Sequence, residues 1–211
     1  MGICLSSCVS AKYYSGVIHE FTFVEPMPMD ANSQFEFSAA FDLNYKNLIQ
    51  KKDNINIPLV FITAYKNGFD CKINTNYKFN LMQAGFLERA SLKSNALQAR
   101  FSKIKIEVKE IPGYYVHVIQ NAVAVVSIGG VAGSFQELHP IQTDLTADFE
   151  CILSGEVVQS GTISIKNNQS PYLAPEGELS LFTQAYFLQH EREMKKLGAK
   201  LFDVLTIRLN E

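Results

Sequence analysis

Between Phe35 and Lys46 the chain alternates with a period of two. Phe35, Phe37, Ala39, Phe41, Leu43 and Tyr45 stand on one side, and Glu36, Ser38, Ala40, Asp42, Asn44 and Lys46 on the other. Successive side chains of a strand point to opposite faces, so the segment predicts one long strand with a buried face and a wet face. One-sided wetting is the habit of antiparallel sheets, whereas strands buried on both faces read as unbroken apolar runs. A chain that carries this strand must lay another layer over its aromatic row.

The rest of the chain supplies strands and helices for that layer. Gly16–Val24 reads as a first strand, ended by Pro26 and Pro28, which lack the ladder donor. Lys51–Asn56 reads as a polar loop. Ile57–Tyr65 is rich in β-formers and closes on Asn67-Gly68, a hairpin signal, with Phe69–Phe79 as the returning strand. From Leu81 to Phe101 the period changes, with Leu81, Ala84, Leu87 and Ser91 on one helical face and Leu92, Ala96 and Ala99 nearby; Gly85 weakens that helix. Ile104, Ile106 and Val108 mark a strand stopped by Pro112-Gly113, and Tyr114–Ile128 is a long β-forming run. Asp148–Gly155 and Val157–Lys166 read as a hairpin around Ser154-Gly155-Glu156, with Gly161 as a bulge. Asn167–Gly177 reads as a loop holding Pro171 and Pro175. Glu178 to about Phe202 predicts a helix with a stripe of Leu181, Phe182, Ala185, Leu188, Met194, Leu197 and Leu201, acids early and lysines late to suit the macrodipole. Val204–Leu209 fits a closing strand or a continuation of that helix. The expected fold class is α+β: mainly antiparallel β-sheet with one moderate helix and a C-terminal amphipathic helix packed on it. There is no solenoid repeat and no low-complexity linker, so residues 1–15 form a tether and 16–211 a single domain.

Composition narrows the function classes. Apolar residues make up 47% of the 211, with fifteen Phe and nine Tyr, enough for a core without metals or dense disulfides. A net charge of −2 and basic residues in isolated pairs such as Lys51-Lys52 and Lys195-Lys196 give no phosphate track, so nucleic acid is not an expected partner. The longest apolar run, Val116–Ile128, is interrupted by His117, Gln120, Asn121 and Ser127 and falls short of a membrane-spanning helix.

Each candidate for chemistry has a plainer reading. Gly129-Gly130-Val131-Ala132-Gly133-Ser134 follows an apolar strand but lacks the Lys-Ser/Thr of a phosphate loop and the Gly-x-Gly-x-x-Gly order of a dinucleotide site, and it reads as a flexible connection. Ser134, His139 and Asp144 or Asp148 are the residue types of a nucleophilic triad without a nucleophile elbow. The carboxylate pairs Glu20/Glu25 and Glu191/Glu193 read as surface charges. His19, His117, His139 and His190 are scattered without ligand spacing, so neither a metal nor a cofactor is expected. His117 fits a strand side chain. The expectation is a protein that is not an enzyme. Two further classes stay open: a carrier with an apolar cavity between sheet and helix, and hydrolysis at Ser134/His139.

The N-terminus carries the remaining signal. Leu5-Ser6-Ser7-Cys8 resembles the lipobox of bacterial envelope lipoproteins, with Leu three residues before the acylated Cys and small residues beside the scissile bond. That resemblance implies lipid on Cys8, a palmitate-bearing anchor in the membrane, and a periplasm-facing protein with a protein partner in the envelope. Val9 in place of Asp implies the outer membrane. Met1-Gly2-x-x-x-Ser6 resembles a eukaryotic myristoylation signal instead, with Gly2 and then Cys4 acylated and the protein on the cytoplasmic face. If Cys4 and Cys8 belong to the anchor, Cys71 and Cys151 remain, open either to a disulfide or to a role as small buried hydrophobes.

Overall fold

A computed structural model describes residues 12, 15–16, 18–19, 34–43, 47–59, 62–93, 100–126, 129–168, 172–175 and 179–210. In chain order the elements are β1 (Phe35–Ala39), β2 (Leu48–Leu59), β3 (Ile62–Lys72), α1 (Thr75–Lys93), β4 (Lys103–Glu110), β5 (Tyr114–Val126), β6 (Gly129–Pro140), β7 (Leu145–Leu153), β8 (Glu156–Ile165), β9 (Tyr172–Pro175) and α2 (Leu179–Asn210). They form a four-stranded sheet ordered β1-β4-β7-β8 and a five-stranded sheet ordered β2-β3-β5-β6-β9. The fold is α+β.

The aromatic row of β1 meets the helices. Phe35 and Phe37 pack edge-on against Phe86 of α1 at 5.1 and 5.0 Å, and Phe86 meets Phe202 of α2 edge-on at 5.3 Å. Edge-to-face rings add to burial because the positive rim of one meets the negative face of the other. From the sheet, Ile104, Ile106, Val108, Leu145, Ala147 and Cys151 complete this core. The two helices cross backbone to backbone. A Cβ on Gly85 would lie 2.0 Å from the Lys195 carbonyl oxygen, and one on Gly198 would lie 2.0 Å from that of Met82. Gly85 weakens the helix in isolation but permits the crossing that buries it.

Several expectations need correction. Ser15, Gly16, Ile18 and His19 have helical backbone rather than strand, and the rest of the predicted first strand lies outside the described residues. The alternating strand ends at Ala39, and the chain bends at Ala40 and Phe41. Its pairing ends with Ala39 opposite Val108, while β4 itself runs on to Glu110. β1 also pairs with β4 in parallel, not antiparallel, since β2, β3 and α1 form the crossover between them. Lys51–Asn56 belongs to β2, at the edge of its sheet, where charged side chains are common. Asn67-Gly68 is no turn: the pair lies inside β3, opposite Ile119 and Val118.

The helices also start and end elsewhere than expected. α1 begins at Thr75, because the Asn74 side chain accepts the Tyr77 amide at 2.6 Å and caps the first turn. Ser91 and Leu92 on the predicted face are exposed. α2 runs on to Asn210, so the helical continuation holds for Val204–Leu209 and the lysines fall mid-helix, with Arg208 alone in the last turn. Leu188 of the predicted stripe is exposed, and the buried face runs through Tyr186, Phe187, His190, Met194, Leu197, Leu201, Phe202, Leu205 and Leu209. The glycine-rich stretch at 129–134 is part of β6, and Tyr172–Pro175 of the predicted loop pairs with β6 as edge strand β9. The β7–β8 hairpin stands as expected, with Ser154 and Gly155 at φ 53° and 89° in its turn. The register shift falls at Cys151/Ile152, whereas Gly161 sits opposite Phe149, where a Cβ would lie 3.0 Å from the ring.

Candidate functional site

Polar groups concentrate where the first turns of α1 meet α2 and the inner ends of β3 and β5. Every residue from Asn76 to Gln83 is buried, although the run includes Asn76, Lys78, Asn80 and Gln83. The chain is pinned just before the helix: the Ile73 amide donates to the Gly113 carbonyl at 3.0 Å and the Asn74 amide to Asn47 Oδ1 at 2.9 Å. Gly113, at φ 132°, leaves room for the Lys78 stem, since a Cβ there would lie 2.1 Å from Lys78 Cδ. On α2, His190 stacks on Tyr186 with centroids 6.0 Å apart, and Tyr186 lies 4.8 Å from Tyr115 of β5.

Burial dominates the electrostatics here. It disfavours the charged form of each group, pushing the Lys78 amine down to about 8, with Lys72 adding repulsion. Burial and then Lys78 push the His190 imidazole down to about 3, and neither ring nitrogen has a hydrogen-bond partner among the described residues. The hydroxyls of Tyr77 and Tyr186 are raised, first by burial and then by Glu191 and Cys71 respectively. At neutral pH the cluster therefore holds a neutral imidazole and protonated phenols around one near-titrating amine. Beside it a cleft of about 470 Å³ is lined by Asp42, Lys72, Thr75, Lys78, Glu110 and Thr143 among others, a balanced mixture of charges. A groove of about 400 Å³ over the helix crossing carries Arg89, Arg192, Lys195 and Lys196 with Glu88.

The residues singled out in the sequence do not converge. Ser134 and His139 lie five residues apart on one strand, about 17 Å of extended chain, so no proton passes directly between them. His139 pairs with Glu137 at 2.9 Å, Asp148 accepts from Thr162 at 2.7 Å, and the Asp144 side chain receives the Asn167 amide at 3.4 Å. Glu191 and Glu193 pair along α2 with Lys195 and Lys196, both at 2.7 Å. His117 is a buried strand residue. Among the described residues there is no metal-ligating cluster. Cys71 and Cys151 are buried thiols not joined to one another; they lie in β3 and β7, in different sheets. Both pack as small hydrophobes, and burial pushes the Cys151 thiol up to about 11. Gly2, Cys4 and Cys8, with Glu20 and Glu25, lie outside the described residues. The sheet–helix layer, where a carrier would need its cavity, is filled by Phe35, Phe37, Phe86 and Phe202.

Sequence reasoning passed over one larger feature. The outer halves of β2, β3, β5 and β6, residues 54–59, 62–67, 119–126 and 129–136, lie side by side and hold a single charged residue, Lys66. At the chain-wide charged share of 19%, a stretch of that length would carry about five. The absence of charge from Val118 to Gln136 was visible in the sequence, but only the pairing joins it to Asn54–Tyr65 in one sheet. Compared with protein-family models, curated proteins and solved structures, the chain matches none.

Proposed function

We propose that this is a non-catalytic, lipid-anchored protein of the bacterial cell envelope, held at the outer membrane through Cys8 and facing the periplasm. It binds another envelope component through the outer part of its five-stranded sheet. The observation that carries the reading is the division of the molecule. The described core residues of the five-stranded sheet, Phe69, Cys71, Tyr115 and Leu138, lie in its inner half, while its outer half holds almost no charge. A broad region of sheet with so little charge has the composition of a contact site for another molecule. The lipobox-like Leu5-Ser6-Ser7-Cys8 supplies the anchor, and a tethered protein with such a surface needs no active site to work.

The test is metabolic labelling of the protein expressed with its native upstream sequence. Labelled palmitate is expected on wild-type protein and not on Cys8→Ala, which is also expected to lose its membrane localisation. Wild type without label, or a Cys8→Ala protein that stays at the membrane unchanged, would overturn the anchor.

A further inference from the structure

Among the described residues Lys78 is the only Asp, Glu, Lys or Arg that is buried, with 6% of its surface exposed. Its position follows from the backbone around it. Asn74 caps α1 one turn earlier, and the Lys78 amide reaches back to the Asn74 carbonyl at 3.4 Å. Gly113 takes φ 132° and carries no Cβ; one there would lie 2.1 Å from Lys78 Cδ and 3.0 Å from Nζ. Stem and amine therefore pass over bare backbone, a path that any side chain at 113 would close.

A buried ammonium has lost its hydration, and a carboxylate in contact ordinarily offsets that loss. Lys78 has no such partner among the described residues. It forms no ion pair there, and the one charge that acts on it, Lys72, repels it. Asn44, Tyr45 and Lys46, which link Leu43 to Asn47 in the sequence, include no acid. On α2 the imidazole of His190 feels the Lys78 charge but is neutral at pH 7 and offers no counter-charge.

The open side of Lys78 is the cleft of about 470 Å³ that it lines. Thr75, the first residue of the 19-residue α1, lines it too, so the positive end of that helix adds to the pull on an anion. Phe41, Leu48, Ile73 and Ile111 give the cleft apolar walls. The remaining charges, Asp42, Lys72 and Glu110, belong to exposed residues and so stand at the mouth. A buried cation, apolar walls and two carboxylates at the rim are the complement of a molecule charged at both ends. We propose that the cleft binds a small zwitterion of the amino-acid kind, with its carboxylate on the Lys78 amine, its hydrocarbon along the apolar walls and its ammonium beside Asp42 and Glu110. The ligand thus supplies the counter-charge that the fold withholds from Lys78. The inference rests neither on the lipid anchor nor on the outer sheet, since no residue of the cleft belongs to either.

Isothermal titration calorimetry on purified full-length protein at pH 7, with three probes of equal chain length, tests both ends of the site. 6-Aminohexanoate is expected to bind at one site, hexanoate about fivefold more weakly for want of the ammonium, and hexylamine not measurably. Lys78→Met is expected to weaken 6-aminohexanoate about thirtyfold or more, with a urea midpoint no lower than wild type at pH 7 showing that it folds. Glu110→Gln, at an exposed position, is expected to bring 6-aminohexanoate towards the hexanoate value and to leave hexanoate within about twofold. No binding of 6-aminohexanoate at millimolar concentration would overturn the proposal. So would retained binding by folded Lys78→Met, hexanoate or hexylamine binding as tightly as the zwitterion, or Glu110→Gln weakening hexanoate as much as 6-aminohexanoate.

Discussion

Replacing Gly198 by Ala tests the packing that positions both sheets. Its added Cβ would lie 2.0 Å from the Met82 carbonyl oxygen and 2.8 Å from the Phe86 amide nitrogen. A carbon–oxygen contact needs about 3.3 Å, so the helices must separate by roughly 1.3 Å at the crossing. Those neighbours are backbone atoms of a helix and cannot rotate away. A gap of that size forfeits around half the dispersion energy of the atoms lining it, here including Phe86 and Phe202, now 5.3 Å apart. Overpacking costs about 1–3 kcal/mol and more when backbone must move, while Ala regains about 1 kcal/mol of helix propensity. With backbone on both sides the cost falls in the upper half of that range, so the expected net loss is about 1–2 kcal/mol. Gly16, also helical, has nothing within 4 Å of a Cβ, and Gly16→Ala is expected to stabilise by up to about 1 kcal/mol. Urea unfolding followed by far-ultraviolet circular dichroism measures both through the midpoint at constant m-value. If Gly198→Ala stays within about 0.5 kcal/mol of wild type, or if the two variants shift alike, the close crossing is wrong.

Three further outcomes follow from buried ionisable groups. The His190 imidazole is pushed down to about 3, so the unfolded state binds the extra proton below the ordinary histidine range. Stability should therefore fall as pH drops from 6.5, by up to about 1.4 kcal/mol per unit, and His190→Phe should flatten that slope between pH 6.5 and 4.5 in urea titrations. Lys78 acts at the other end, because its amine is pushed down to about 8 and the unfolded state binds more protons between there and the ordinary lysine value. Stability should rise from pH 8 to 10, beyond which the raised tyrosine hydroxyls oppose it, and Lys78→Met should abolish the rise. Cys71 and Cys151 should resist iodoacetamide at pH 8 in the native state and react fully in denaturant, as mass spectrometry would show; rapid native labelling would contradict their burial.

Period and turn chemistry made part of this fold legible. The Ile104–Val108 strand, the Tyr114 run and the Ser154-Gly155 hairpin each follow from residues within a few positions of one another. What escaped depends on partners distant in sequence. β1 stops at Ala39, opposite Val108 of β4, and nothing near Phe41 shows that. Asn67-Gly68 has the chemistry of a turn but lies inside a ladder with β5. Gly85 reads as a defect until Lys195 is placed against it. Asn74 was the one missed local signal, since a capping residue before Thr75 marks the true start of α1. The polar cluster was not legible, because Lys78 and His190 lie far apart in sequence and each alone resembles a surface residue. The uncharged outer sheet was half legible: the chain shows two charge-poor stretches, and only the register joins them.

The central claim is that lipid on Cys8 holds the protein at a membrane while the outer part of the five-stranded sheet meets another envelope component. A photo-cross-linking residue placed singly along β5 from 119 to 126, and as a control at the exposed positions 156–158 of β8, would be activated in cells expressing the protein with its native upstream sequence. Adducts to one envelope component are expected from the β5 positions and not from β8, and to be lost when Cys8→Ala is added. Adducts from β8 alone, none from β5, or β5 adducts unchanged by Cys8→Ala would contradict it.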